Sequence, residues 1–177
     1  VIYAFYPGEQ GGTALADVIF GDVSPSGRMP FTIPYSLEDL PAYEDYALEG
    51  RTYRYMTKEP LFPFGFGLSY TSFDYAPGET IVEDDKVVVS FKLSNSGKKA
   101  AEEVCQLYLA SPLAGNGNPI YSLRGIQRVK LAAGASRKVS FLLDKNAFMQ
   151  VNEEGEKFLP EGDYKIYLGG AVPSERS

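Results

Sequence analysis

The sequence predicts a mostly β protein: an immunoglobulin-like β-sandwich preceded by a strand–helix–strand unit of α/β type. Three observations carry this. Residues 1–34 read as an apolar strand, a glycine-rich turn, a short helix, a second turn and another strand, a unit that needs a parallel sheet to belong to. From residue 73 onward, short runs of period two recur with turn residues between them. The composition, with 14% aromatic residues, 18 Gly, 12 Pro and no Trp, suits a β-rich, turn-rich body.

Val1–Tyr6 is apolar and aromatic throughout, as expected of a parallel strand buried on both faces. Pro7-Gly8 ends it. Gly11 and Gly12 are turn residues, and Thr13 is the expected N-cap. Ala14, Leu15, Val18 and Ile19 then place an apolar stripe at helical spacing, and Gly21 stops the helix. Asp22–Gly27 is a turn rich in Asp, Ser, Pro and Gly, and Met29–Ile33 is the next strand. No further strand–helix units follow, so the opening is expected to close a larger α/β domain.

Residues 36–72 form a connector. Pro41, Pro60 and Pro63 break any long helix. Nine aromatics (Tyr35, Tyr43, Tyr46, Tyr53, Tyr55, Phe62, Phe64, Phe66 and Tyr70) fall in or beside it, and a solvated linker has no use for them. The expectation is an ordered segment pressed onto domain surfaces with its rings buried.

Seven candidate strands follow: Phe73–Tyr75, Lys86–Ser94, Glu102–Ala110, Leu123–Leu131, Arg137–Leu143, Phe158–Leu159 after a charged hairpin at Asn152–Lys157, and Asp163–Leu168. Their number and spacing fit a β-sandwich of about 100 residues. The domains are therefore placed at 1–35, 36–72 and 73–177.

Composition also excludes. The net charge of −6 argues against nucleic acid or an anionic membrane as partner. With no histidine, Ser–His and Cys–His triads and imidazole metal sites are out, and no metal or other cofactor is indicated. The single cysteine, Cys105, lies in the apolar run VCQLYLA and reads as a buried small hydrophobe. No apolar window is long enough for a transmembrane helix.

Several stretches resemble glycoside hydrolase family 3. Tyr6–Pro30, YPGEQGGTALADVIFGDVSPSGRMP, is similar to the end of that family's second catalytic domain. Leu61–Phe73, LFPFGFGLSYTSF, resembles the segment leading into its C-terminal domain. Val104–Leu109, Leu123–Gly125 and Gly162–Gly169 resemble motifs of its fibronectin type III-like domain.

The resemblance implies a fibronectin type III-like β-sandwich preceded by the last strand-helix-strand of an α/β sandwich domain. It implies a parent of β-glucosidase type, a retaining exo-glycosidase acting on terminal β-glycosidic bonds. An aspartate of a barrel domain would be nucleophile and a glutamate of the α/β sandwich acid/base, with carboxyl groups about 5–5.5 Å apart. Both lie upstream of the counterpart of Val1, so no catalytic residue is assigned and no substrate-binding residue is fixed. The implied partners are the rest of the parent hydrolase and through it a β-linked oligosaccharide; separately, the apolar surface of Val1–Phe5 and the helix stripe makes a second copy of the chain a further expected partner. Export to the periplasm or beyond is common among such enzymes. The alternative is a non-catalytic carbohydrate- or protein-binding β-sandwich, which exposed planar aromatics on one sheet face would favour.

Individual residues carry two readings each. Glu9, after the first strand, is a contact near a cleft or an acid at a helix N-terminus. Arg51, Tyr53 and Arg54 suit sugar rings and carboxylates, or a domain interface. Gly8, Gly11, Gly12 and Phe64-Gly-Phe-Gly67 match no nucleotide-binding pattern and read as backbone turning. The acid pairs Glu38-Asp39, Asp84-Asp85, Glu102-Glu103 and Glu153-Glu154 read as solvated surface charge. Arg124-Gly125 is expected at a strand bend.

Overall fold

The computed structural model describes residues 1–115 and 117–174. Its body is a sandwich of two antiparallel three-stranded sheets. Strands β1 (Phe73–Glu83), β2 (Lys86–Asn95) and β5 (Ser136–Asp144) form one sheet in the order β1-β2-β5. Strands β3 (Ala101–Ala110), β4 (Ser122–Leu131) and β8 (Lys165–Gly169) form the other in the order β4-β3-β8. A two-stranded ribbon, β6 (Gln150–Val151) and β7 (Lys157–Phe158), flanks the charged hairpin.

Alternation sets the core. Val89, Phe91 and Leu93 of β2 and Val139, Phe141 and Leu143 of β5 point inward from one sheet. Cys105, Leu107, Val129 and Leu131 meet them from the other. Tyr75, Phe91 and Phe141 stack in a row with centroids 5.4 and 6.2 Å apart. Cys105 is buried, as its apolar neighbours predicted. Burial pushes its thiol pKa up to about 11.

The extent of β1 differs most from the sequence reading. β1 continues eight residues beyond Tyr75, through Pro77 and Gly78, because a bulge sets Gly78 and Glu79 opposite Ser90 and the ladder resumes at Thr80. The bend expected at Arg124-Gly125 is a second bulge: Leu107 faces Gly125, Tyr108 faces Leu123, and Arg124 is the extra residue. Gly125 has a packing reason as well. A Cβ there would lie 2.5 Å from the Phe141 ring.

The first 35 residues depart further. Val1–Tyr6 is exposed and lies outside any strand, because the described residues offer no neighbouring strand, and Phe5 breaks the extended run with a φ of 52°. Helix α1 spans Gly11–Phe20 and begins before Thr13, with Gln10 at the N-cap position. Gly21 ends it in the left-handed conformation, at φ 81°. Met29–Ile33 is not a strand of a parallel sheet. It runs antiparallel to Phe62–Phe66, with mutual Ile33–Phe62 bonds of 2.9 and 3.2 Å and Met29–Phe66 and Gly65–Met29 bonds of 2.8 Å each.

The connector holds one 3-10 turn, Leu37–Asp39, and one helical turn, α2 (Thr52–Tyr55). Its rings divide. Tyr53, Tyr55, Phe62, Phe64 and Phe66 are half-buried, while Tyr35, Tyr43, Tyr46 and Tyr70 stay exposed.

Candidate functional site

The site is an interface between layers. β3 is buried on both faces along nearly its whole length. One face looks into the sandwich. The other, carrying Gln106 and Tyr108, is covered by the connector. Tyr53 stacks on Phe64 at 4.5 Å, meets Tyr108 edge-on at 5.9 Å, and its hydroxyl accepts the Leu123 N–H at 3.2 Å. Gln106 donates to Gly170 O at 2.5 Å and accepts from the Tyr108 hydroxyl. Gly65 sits so close that a Cβ would lie 2.5 Å from the Gln106 amide oxygen. Burial, with Tyr53 adding to it, raises the Tyr108 phenol above its ordinary pKa.

At the mouth of the sandwich, Arg28 enters from the segment after α1. It donates to Glu103 at 2.5 Å, with only 10% and 5% of the two side chains exposed. Tyr75 donates to the other carboxylate oxygen at 2.9 Å. Burial first, then the Glu103 charge, raises the Tyr75 phenol well above the ordinary tyrosine range. Glu103 thus corrects the reading of Glu102-Glu103 as surface charge. Strand alternation turns Glu102 out to Arg128 at 3.2 Å and turns Glu103 in. Sequence reasoning named Glu103 only as half of a surface acid pair and did not single out Arg28. The available signal was a carboxylate at an inward-facing position of a strand buried on both faces.

Further stitches join the first 30 residues to the rest. Ser24 and Ser69 share a hydroxyl bond of 2.9 Å, and Tyr70 donates to Val18 O at 2.6 Å. Lys99 reaches Gly21 O at 3.2 Å, where a cation suits a helix C-terminus. Arg128 donates to Ser26 at 2.5 Å.

Glu9 is exposed before α1 and makes no side-chain hydrogen bond among the described residues. Arg51 turns onto carbonyls of its own loop, Tyr53 packs on β3, and Arg54 lies exposed over the Tyr55 ring. The interface reading therefore fits Tyr53, while Arg51 serves the loop it ends. Glu38 and Asp39 lie in the 3-10 turn, where Asp39 is held below the usual carboxylate range by Lys58 and the Ser36 N–H. Asp84-Asp85 and Glu153-Glu154 lie on exposed turns. Gly65 and Gly67 serve close packing, Gly67 against the Gly27 carbonyl. A cleft of about 460 Å³ lies between the connector and the far end of the chain, with Thr32, Met56, Pro63, Tyr121 and Pro173 in its walls. Among the described residues no cluster of His, Cys, Asp or Glu could hold a metal, and no helix is long and apolar enough to cross a membrane. The arrangement fastens one layer to another.

Residues 1–70 match the model of the glycosyl hydrolase family 3 C-terminal domain, and residues 103–172 match that of a fibronectin type III-like domain. The chain belongs to glycoside hydrolase family 3. Among its relatives are a xylan 1,4-beta-xylosidase of Xylanibacter ruminicola, 38% identical over 96% of this chain and 20% of that protein, and thermostable beta-glucosidase B of Acetivibrio thermocellus, 39% identical over 96% of this chain and 25% of that protein. The beta-glucosidase structure from Kluyveromyces marxianus superposes with a TM-score of 0.82 at 34% identity, covering 92% of this chain and 21% of that one. The family 3 chain thus spans a fifth to a quarter of the length of these relatives, and it corresponds to their C-terminal part.

Proposed function

We propose that this chain is the C-terminal portion of a retaining exo-glycosidase that hydrolyses terminal β-glycosidic bonds, and that it completes and braces the catalytic domains. The carrying observation is the match of 96% of this chain to named β-glucosidases and β-xylosidases. Within that reading, residues 1–35 belong to the α/β catalytic domain, 36–72 are the connector and 73–177 the fibronectin type III-like domain. Support comes from the connector lying across β3 and from the bonds that tie α1 and Arg28 to the sandwich.

In the parent, two carboxylates from outside this segment would form and hydrolyse a covalent glycosyl-enzyme. The segment's part is positional. Val1, Ile2, Tyr3 and Phe5 and the α1 residues Ile19 and Phe20 present apolar surface that the missing strands of the α/β sheet would cover. Self-association through the same surface is the competing arrangement.

The test pairs intact mass with a panel of p-nitrophenyl β-glycosides that includes glucoside and xyloside. A longer gene product that hydrolyses one of them, beside an inert 19.4 kDa chain, supports the proposal. Turnover by the 177-residue chain alone would sink it. Sedimentation of that chain separates the monomer from the dimer.

A further inference from the structure

The loop Pro41–Arg51 carries two of the most exposed aromatic rings in the molecule, Tyr43 at 89% and Tyr46 at 88% of full exposure, with Leu48 at 60%. The loop is nonetheless braced from within. The Arg51 guanidinium donates to the carbonyls of Ala42 and Ala47, each at 3.1 Å, and to that of Asp45. The Asp45 N–H donates to Ala42 O at 3.0 Å, and its carboxylate accepts the Ala47 N–H at 2.9 Å. The Arg51 N–H returns to Leu48 O at 3.1 Å. Gly50 supplies a φ of 70° against Pro41. A guanidinium turned onto three carbonyls of its own loop fixes backbone geometry. Rigid tyrosines whose ordering entropy is already lost are what binding loops present.

Two observations identify the occupant. In relatives the matching segment is only 20–25% of the protein, so most of such a molecule lies elsewhere. With the Arg51 guanidinium engaged on its own loop, the exposed Glu44, Asp45 and Glu49 leave the loop negative around its rings. Such a loop complements a surface of apolar pockets rimmed by Lys or Arg.

We propose that Pro41–Arg51 is a preorganised tyrosine loop that seats on a basic, apolar-pocketed surface of the parent hydrolase's N-terminal portion. This rests on the reading that a parent hydrolase exists. The contact is separate from the apolar edge at residues 1–6, because it is acidic and internally braced where that edge is neither.

Hydroxyl-radical footprinting of the 177-residue chain and of the full-length gene product tests it, with glycoside hydrolysis measured on the latter. Tyr43 and Tyr46 are expected to react at the rate of open tyrosines in the short chain and about tenfold slower in the long one. Arg51→Gln in the long protein should restore most of that rate and leave Tyr164 unchanged. Fast Tyr43 and Tyr46 in an active glycosidase would overturn the loop proposal and leave the enzyme reading standing. Protected tyrosines in an inactive long protein would do the reverse. Protection that grows with the concentration of the short chain would assign the loop to a second copy and overturn the proposal. A gene product no longer than this chain, with both tyrosines still fast, would overturn both.

Discussion

Glu103 is 4% exposed at the mouth of the sandwich, and its charge is tolerable there because Arg28 and Tyr75 face it. Removing one partner of such a pair leaves an uncompensated buried charge, which costs about 3–5 kcal/mol. Arg28→Met is therefore expected to lower the urea-unfolding free energy by that order. Arg28→Met combined with Glu103→Leu should recover most of the loss, and a double change as costly as the sum of the singles would contradict this account. Cys105 and Tyr75, beside this pair, carry a pH signature. Both folded pKa values are raised, so their contribution to stability is full below the unfolded values of 9.0 and 10.0 and is lost as pH rises through the folded ones. The melting temperature should hold through neutral pH and fall above about pH 9, and native Cys105 should resist thiol reagents until urea exposes it. Gly125 sets a steric limit instead. Gly125→Ala drives a methyl into the Phe141 ring and should cost about 1–3 kcal/mol, with Phe141→Leu in the same chain relieving part of it.

At the scale of elements, the β2–β3 turn is anchored above all by one side chain. Asn95, 1% exposed, accepts from Thr71 Oγ1 at 2.6 Å and from the Gly97 N–H at 3.1 Å, and donates to Lys99 O at 2.8 Å and Leu131 O at 3.3 Å. Asn95→Ala strands four partners at once, the Leu131 carbonyl among them buried, and should destabilise by about 2–4 kcal/mol in urea titrations, more than a single lost hydrogen bond. The turn itself was legible from Asn95-Ser96-Gly97, because such residues favour turns by local chemistry. The strands around it were legible too, since each alternates against a common core. What the sequence hid were features set by distant partners. β1 crosses Pro77-Gly78 on a bulge that only its pairing with β2 defines. Met29–Ile33 reads as a parallel strand until Phe62–Phe66 is seen opposite it. Val1–Tyr6 has strand composition, yet a strand exists only where a neighbour accepts its hydrogen bonds.

At the scale of the whole molecule, the motifs of both halves and the packing role of Tyr53 could be read along the chain, while the buried ion pair between the halves could not. Arg28 and Glu103 are 75 residues apart, and neither belongs to a pattern that announces the other. Stability should be graded accordingly. β2, β3 and β5, with the end of β4, form the continuous core, so their hydrogen-bonded amides should exchange only through global unfolding. A ten-residue helix is marginal by itself, and α1 has no side-chain cap at its N-terminus. What ties α1 down is a few side chains: Tyr70 on Val18 O, and Lys99 on Gly21 O and over the Tyr70 ring. Tyr70→Phe with Lys99→Ala should therefore speed α1 amide exchange about tenfold, the equivalent of some 1.4 kcal/mol of local opening. The same double change should leave β3 untouched, because the sandwich core lies on the far side of those bonds. If α1 in the unaltered chain already exchanges as slowly as β3, helix and sandwich unfold as one unit, and the graded picture of this molecule is wrong.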